Sequence, residues 1–143
     1  MARIKIELPQ KLSFTTTIPV RITDLNYGGH VGNDAILSLL HEARVQFLKN
    51  VDFQELNCAG VGLIMSDVAI EFKREIFYGD QLIASVGTGD FTRAGFDIFY
   101  RLDIANSSEM QVAVIAKTGM VCYDYTLKKI TAVPASVKEK LSD

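Results

Sequence analysis

The sequence predicts an α+β domain in which one long central helix is wrapped by a five- to six-stranded antiparallel sheet. Three observations lead there. The stretch Asn33 to Lys49 repeats its apolar residues at helical spacing, most of the remaining chain alternates with period two, and 143 residues suffice for one core and not two.

Each element follows in order. Leu12 to Ile22, rich in Thr, Ile, Phe and Val, reads as the first strand, with Pro19 confined to an edge or bulge position. In the helix Ile36, Leu39, Leu40, Ala43 and Phe47 fall on one face, and Asp34, Ser38, His41 and Val45 lie opposite. Asn33 is placed as its N-cap, with Asp34 well sited against the helix dipole. Beyond a glycine-punctuated link (Asn57 to Gly62), Ile64 to Arg74 is a strand with Ile64, Val68, Ile70 and Phe72 on one face. Tyr78 to Asp80 is a turn, and Leu82, Ala84 and Val86 resume the alternation up to a bulge or bend at Gly87 and Gly89. Phe96 to Ile104 forms a hairpin with this strand, and Asn106 to Glu109 is the next turn. A long strand from Met110 to Tyr125 and a short helix opened by Pro134 complete the chain. A sheet covering one helix leaves an uncovered edge, so the architecture predicts a homodimer or a dimer of dimers.

Composition narrows the function classes. A net charge of −2 supplies no general field for nucleic acid or anionic membrane. The absence of a signal-like N-terminus or long apolar run leads to the expectation of a cytoplasmic protein. Cys58 and Cys122 lack CxxC spacing and read as small buried thiols. His30 and His41 do not cluster with further ligands, so no metal site is expected.

The chemistry concentrates in Asp24 to Asp34, DLNYGGHVGND. Gly28 and Gly29 permit positive φ or close approach of backbone to a ligand. Backbone N–H groups near Val31 to Ala35, at the helix start, suit a developing oxyanion, and Asp24 and His30 suit positioning or deprotonating a water. Plainer readings stand beside these: Asp24 as a turn acceptor, His30 as a structural histidine, Asn33 as a cap alone. Glu42, nine residues past Asn33, lies roughly 13 Å along the helix. It reads as a salt-bridge partner of Arg44 or another base, or as part of a site shared with a second subunit. Lys73, Arg74, Arg93, Lys128 and Lys129 read as a solvated face, or as cations of which two or three hold phosphates.

VRITDLN (Val20 to Asn26), GHVGN (Gly29 to Asn33), the Glu42-Ala43-Arg44 triplet, EFKREIFYGDQL (Glu71 to Leu82) and TRAGF (Thr92 to Phe96) together resemble the hot-dog fold thioesterase superfamily. The likeness is to its 4-hydroxybenzoyl-CoA thioesterase-like and acyl-ACP thioesterase-like branch, over nearly the whole chain. It implies an acyl-CoA or acyl carrier protein thioester as substrate, hydrolysed by water without a separate cofactor. It further implies catalytic roles at Asp24, Asn26, His30 and Glu42, and substrate contacts at Gly28, Gly29, Val31, Asn33, Lys73, Arg74 and Arg93. The chain departs from the family pattern where Asn26 replaces the second aspartate, Gly28 an asparagine and Gly32 the first asparagine of HVNN. Asn26 is a neutral amide and no base. Two rivals are an R-specific enoyl-CoA hydratase, whose D-x-N-P-x-H motif is similar to Asp24, Asn26 and His30, and a non-catalytic acyl-thioester binding protein.

Overall fold

The structure is a computed structural model that describes residues 3–105 and 109–142. Its elements are β1 (Phe14–Pro19), a 3-10 turn (Ile22–Asp24), α1 (Asn33–Lys49), β2 (Gly62–Phe72), β3 (Gln81–Gly89), β4 (Gly95–Ile104), β5 (Gln111–Asp124), β6 (Lys129–Ile130) and α2 (Ala135–Leu141). The six strands form one sheet in the order β1-β3-β4-β5-β2, all neighbours antiparallel, with the short β6 added to β5. Consecutive strands are therefore neighbours only from β3 to β6, and both β1 and β2 are edges.

α1 lies across one face of this sheet because its apolar stripe matches the row of inward side chains. Ile36, Leu39, Leu40, Ala43, Phe47 and Leu48 are buried against Leu82, Ala84, Val86, Tyr100 and Leu102. Burying one such leucine or phenylalanine contributes about 1.5–3 kcal/mol, so this stripe is the main attachment of the helix. The opposite face of α1, with Asp34, Ser38, His41 and Val45, is exposed as its spacing predicts.

Several sequence expectations are corrected. The N-cap of α1 is Gly32 and not Asn33, which is the first helical residue, and no side chain caps the helix. A Cβ on Gly32 would stand 2.6 Å from Oδ1 of the exposed Asp34 side chain, which would have to turn aside, and in ordinary contact with Asn26 Cβ at 3.5 Å. Ile64 does not share a face with Val68, Ile70 and Phe72. A bulge between Met65 and Asp67 inserts one residue and reverses the alternation, so Leu63 and Met65 join Val68 on the helix side. Gly87 and Gly89 are not bulged, since the β3–β4 register runs unbroken through both. Gly87 instead admits the N-terminal segment, whose Lys11 carbonyl would be 3.0 Å from any Cβ placed there. The first strand is shorter than Leu12 to Ile22, ending at Pro19 before the 3-10 turn. The turn from Asn106 to Glu109 lies largely outside the described residues, and β6 follows the long strand without having been anticipated.

Candidate active site

The loop from Asp24 to Gly32 is folded by its own polar groups. Asn26 donates its N–H to the His30 carbonyl at 2.8 Å, and Gly29 donates to the Asn26 carbonyl at 3.1 Å. The Asn26 side chain accepts from the Gly28 N–H at 2.9 Å, a local Asx turn. Gly29 takes φ +86°, a conformation that favours glycine. The turn throws His30 back against the helix start, where its ring meets Phe77 edge-on at 6.5 Å between centroids.

Asp24 is buried, and both of its carboxylate oxygens engage Arg21: Oδ2 accepts the Arg21 N–H at 2.8 Å and Oδ1 lies 3.4 Å from Nη2. It fixes the 3-10 turn that leads into the loop. His30 is half-buried, with Nδ1 3.2 Å from the Val31 carbonyl. If Nδ1 carries the hydrogen and donates there, Nε2 holds the lone pair of a general base. A methyl on Gly28 would stand 3.2 Å from Asn26 Oδ1 and 3.6 Å from His30 Nε2, so both polar atoms border the same small space.

Of the backbone N–H groups expected to face a ligand from Val31 to Ala35, the first two are already bonded within the fold. Val31 donates its N–H to the Ile76 carbonyl at 2.8 Å, and Gly32 donates to the Asp24 carbonyl at 3.3 Å. The first helical turn, Asn33 to Ala35, keeps N–H groups with no intrahelical acceptor. Beside this turn lies a cleft of about 220 Å³ bordered by His30, Asn33, Ile36, Phe72, Lys73 and Arg74. Arg74 is exposed, whereas Lys73 is paired with Glu71 at 3.1 Å.

Two predicted residues stand apart. Glu42 is exposed and accepts from Gln46 Nε2 at 2.6 Å; Gln46 in turn accepts from Thr16 on β1 at 2.5 Å, so Glu42 belongs to the β1 flank and forms no bridge with Arg44. Arg93 sits in the β3–β4 connection, where Cys122 donates to the Ala94 carbonyl. The cleft borders Val114 on β5, and the eight residues from there to Cys122 span roughly 26 Å of strand.

Sequence reasoning missed a polar cluster under the middle of α1. Arg44 is buried; it donates from Nε to Glu55 at 2.9 Å and from Nη1 to the Tyr100 hydroxyl at 3.1 Å, which meets Thr118 Oγ1 at 2.7 Å. His41 Nε2 lies 3.2 Å from the same Glu55 oxygen. Burial works against the Arg44 charge, yet Tyr100 and Glu55 raise its pKa overall. The spacing hinted at it, because Arg44 falls four residues from both Leu40 and Leu48 on the buried stripe, but its partners Glu55 and Tyr100 lie outside the helix. Cys58 and Cys122 are buried free thiols, and burial pushes that of Cys58 up to about 12. Among the described residues no group of three metal-binding side chains converges, and no helix is long and apolar enough to cross a membrane.

Comparison with known proteins agrees with this architecture. The family model of the thioesterase-like superfamily matches residues 20–141. Long-chain acyl-CoA thioesterase FadM of Escherichia coli (strain K12) is 28% identical over 127 residues, covering 88% of this chain and 95% of that protein. The crystal structure of YbaW, a probable thioesterase from Escherichia coli, superposes with a TM-score of 0.75 at 27% identity, over 89% of this chain and 95% of that one. Slr0204, a 1,4-dihydroxy-2-naphthoyl-CoA thioesterase from Synechocystis, shares the fold with a TM-score of 0.75 at 23% identity, over 85% and 89% of the two chains. The chain belongs to the thioesterase-like superfamily and has its hot-dog fold.

Proposed function

We infer that this protein is an acyl-CoA thioesterase in which water attacks the thioester carbonyl at the N-terminus of α1. The observation that carries the reading is one cleft bordered by His30, the first turn of α1 and the Lys73–Arg74 pair, in a chain of this superfamily. The names of FadM and Slr0204 favour a CoA thioester as the substrate class.

In this mechanism the carbonyl oxygen points at the N–H groups of Asn33 to Ala35, which gain strength as negative charge develops there. His30 Nε2 takes a proton from the water as its oxygen bonds to the carbonyl carbon. Asn26 Oδ1, beside the same space, orients that water without acting as a base. Collapse of the tetrahedral intermediate breaks the carbon–sulfur bond, and the proton held by His30 passes to the departing thiolate. The products are the free acid and coenzyme A, with no other cofactor. Gly28 and Gly29 keep the approach open, and Lys73 and Arg74 receive phosphates of the nucleotide.

Two copies pair along the exposed edge of β2, continuing the sheet. Antiparallel pairing about a two-fold axis brings the Gly62 end of one β2 beside the Phe72 end of the other, so Arg93 serves a cleft only from the second copy. Glu42, on the opposite flank, takes no part.

Thiol release from acetyl- to palmitoyl-CoA and from benzoyl-CoA tests the reading. Turnover is expected, and His30→Ala is expected to lower kcat by about a hundredfold. Equal turnover in that variant would remove His30 from the mechanism. Substrate-dependent thermal stabilisation without thiol release would favour the non-catalytic binding protein that Asn26 permits, and hydration of crotonyl-CoA would favour the hydratase.

A further inference from the structure

Three hollows follow one another along the seam between α1 and β2. The first is the cleft of about 220 Å³ at the helix N-terminus. The second, about 230 Å³, lies between Leu37, Leu40 and Met65. The third, about 920 Å³, lies among Val45, Leu48 and Leu63. They are in line because Phe72, Ile70, Val68, Met65 and Leu63 succeed one another on the helix side of β2, while Asn33, Leu37, His41 and Val45 recur every fourth residue on α1. His41 borders both the second and the third hollow. There it meets Glu55, and the same Glu55 oxygen binds Arg44. An ionic bar of His41, Glu55 and Arg44 thus stands where the second hollow, which Arg44 also lines, meets the third.

Resting on the thioesterase reading above, we propose that the acyl chain runs from the helix N-terminus along this seam and that the His41–Glu55–Arg44 bar ends it, selecting medium-length acyl groups. From Asn33 to His41 is eight residues, or about 12 Å of helix. An extended chain advances roughly 1.2 Å per bond, as peptide backbone does at about 3.6 Å over three bonds, so about ten carbons reach the bar. Up to that point the apolar part of the wall is Ile36, Leu37, Leu40 and Met65, against which methylenes gain by burial, beside Ser38 and Thr118. At the bar a methylene would strip water from a carboxylate and an imidazole while offering no hydrogen bond in return. The 920 Å³ hollow beyond makes the limit chemical and not steric: there is room past the bar and a penalty for passing it.

The test is a length series of non-hydrolysable S-alkyl-CoA thioethers, butyl to octadecyl, titrated calorimetrically, with thiol release measured on the matching acyl-CoAs. Affinity is expected to rise roughly tenfold for each two methylenes and to level off at about ten carbons. His41 is more than half exposed, so His41→Leu keeps the Arg44–Glu55 pair and the fold. It is expected to raise hexadecyl affinity by about tenfold while leaving octyl affinity within about twofold. Glu55→Gln, which retains an acceptor for Arg44, is expected to shift the plateau the same way by less. A wild-type rise that continues through hexadecyl, or a plateau unmoved in His41→Leu, would overturn the length limit, as would failure of every thioether to bind. A plateau in binding with no thiol release overturns the hydrolytic reading and leaves the limit standing; thiol release with no plateau does the reverse.

Discussion

The two flanks of α1 are built from the same helix and end differently. Toward β1, the Phe14 ring packs on Phe47 at 5.9 Å, Thr16 bonds to Gln46, and Ile18 and Phe47 are buried. Toward β2, Leu37, Val45, Met65 and Val68 remain about 40% exposed and Phe72 51%. Both neighbouring strands are sheet edges, so edge position alone does not account for the contrast. On the first flank Phe14, Thr16 and Ile18 of β1 close over the helix; on the second a row of large apolar side chains stops short of closing, and a buried arginine lies beneath it. The chain completes its own core on one side and leaves a row of large apolar side chains half-exposed on the other.

Substitutions on the two flanks sharpen this contrast. Phe47→Ala on the closed flank is expected to cost about 4 kcal/mol at every protein concentration, read by urea unfolding. Val68→Asp on the open flank is expected to cost at most about 1 kcal/mol in the isolated chain and to convert dimer to monomer in sedimentation velocity. Equal, concentration-independent losses in the two variants would erase the distinction. Beneath the open flank, Arg44→Met is expected to lose about 3 kcal/mol, because Tyr100 and Glu55 lose a shared partner. The smallest effect lies away from both flanks, at Asp97 on the far face of the sheet. Burial raises its pKa, Lys117 opposes this, and Asp90 and Asp67 add to it. A raised carboxyl contributes stability that is fully present below its ordinary value of 3.8 and is lost as pH rises through the folded value. Asp97→Asn should therefore gain in Tm relative to the parent as pH rises from about 3 to 7, and an unchanged difference across that range would contradict the assignment.

The helix and the strand succession were legible because amphipathic periodicity is a local signal, and α1 keeps the predicted bounds Asn33–Lys49. The loop stood out as a candidate site because glycines, amides and a histidine crowd before a helix start. Pairing partners are not local. The bulge at Ser66, which turns Ile64 away from the helix, arises where β2 meets Gly119 of β5, over whose Cα the Asp67 carboxylate sits. Nor does a one-dimensional pattern say which backbone donors are already spent: Val31 loses its N–H to Ile76, 45 residues onward, and Arg93 is carried to the far end of the sheet. Arg44 was hidden for another reason, since a charged residue on an apolar stripe is legible as buried only once Glu55 and Tyr100 arrive from outside the helix.

The irregularity at Ser66 also bears on which strands β2 will accept. A long straight apolar edge is a template for any extended chain, including other unfolding copies stacking without limit. With a kink in its middle, the edge offers hydrogen-bonding groups whose spacing breaks phase partway along. A regular strand can match one half only. An identical strand running the other way presents the same break near the same place, so in the dimer inferred above the defect suits one further copy and disfavours open-ended stacking.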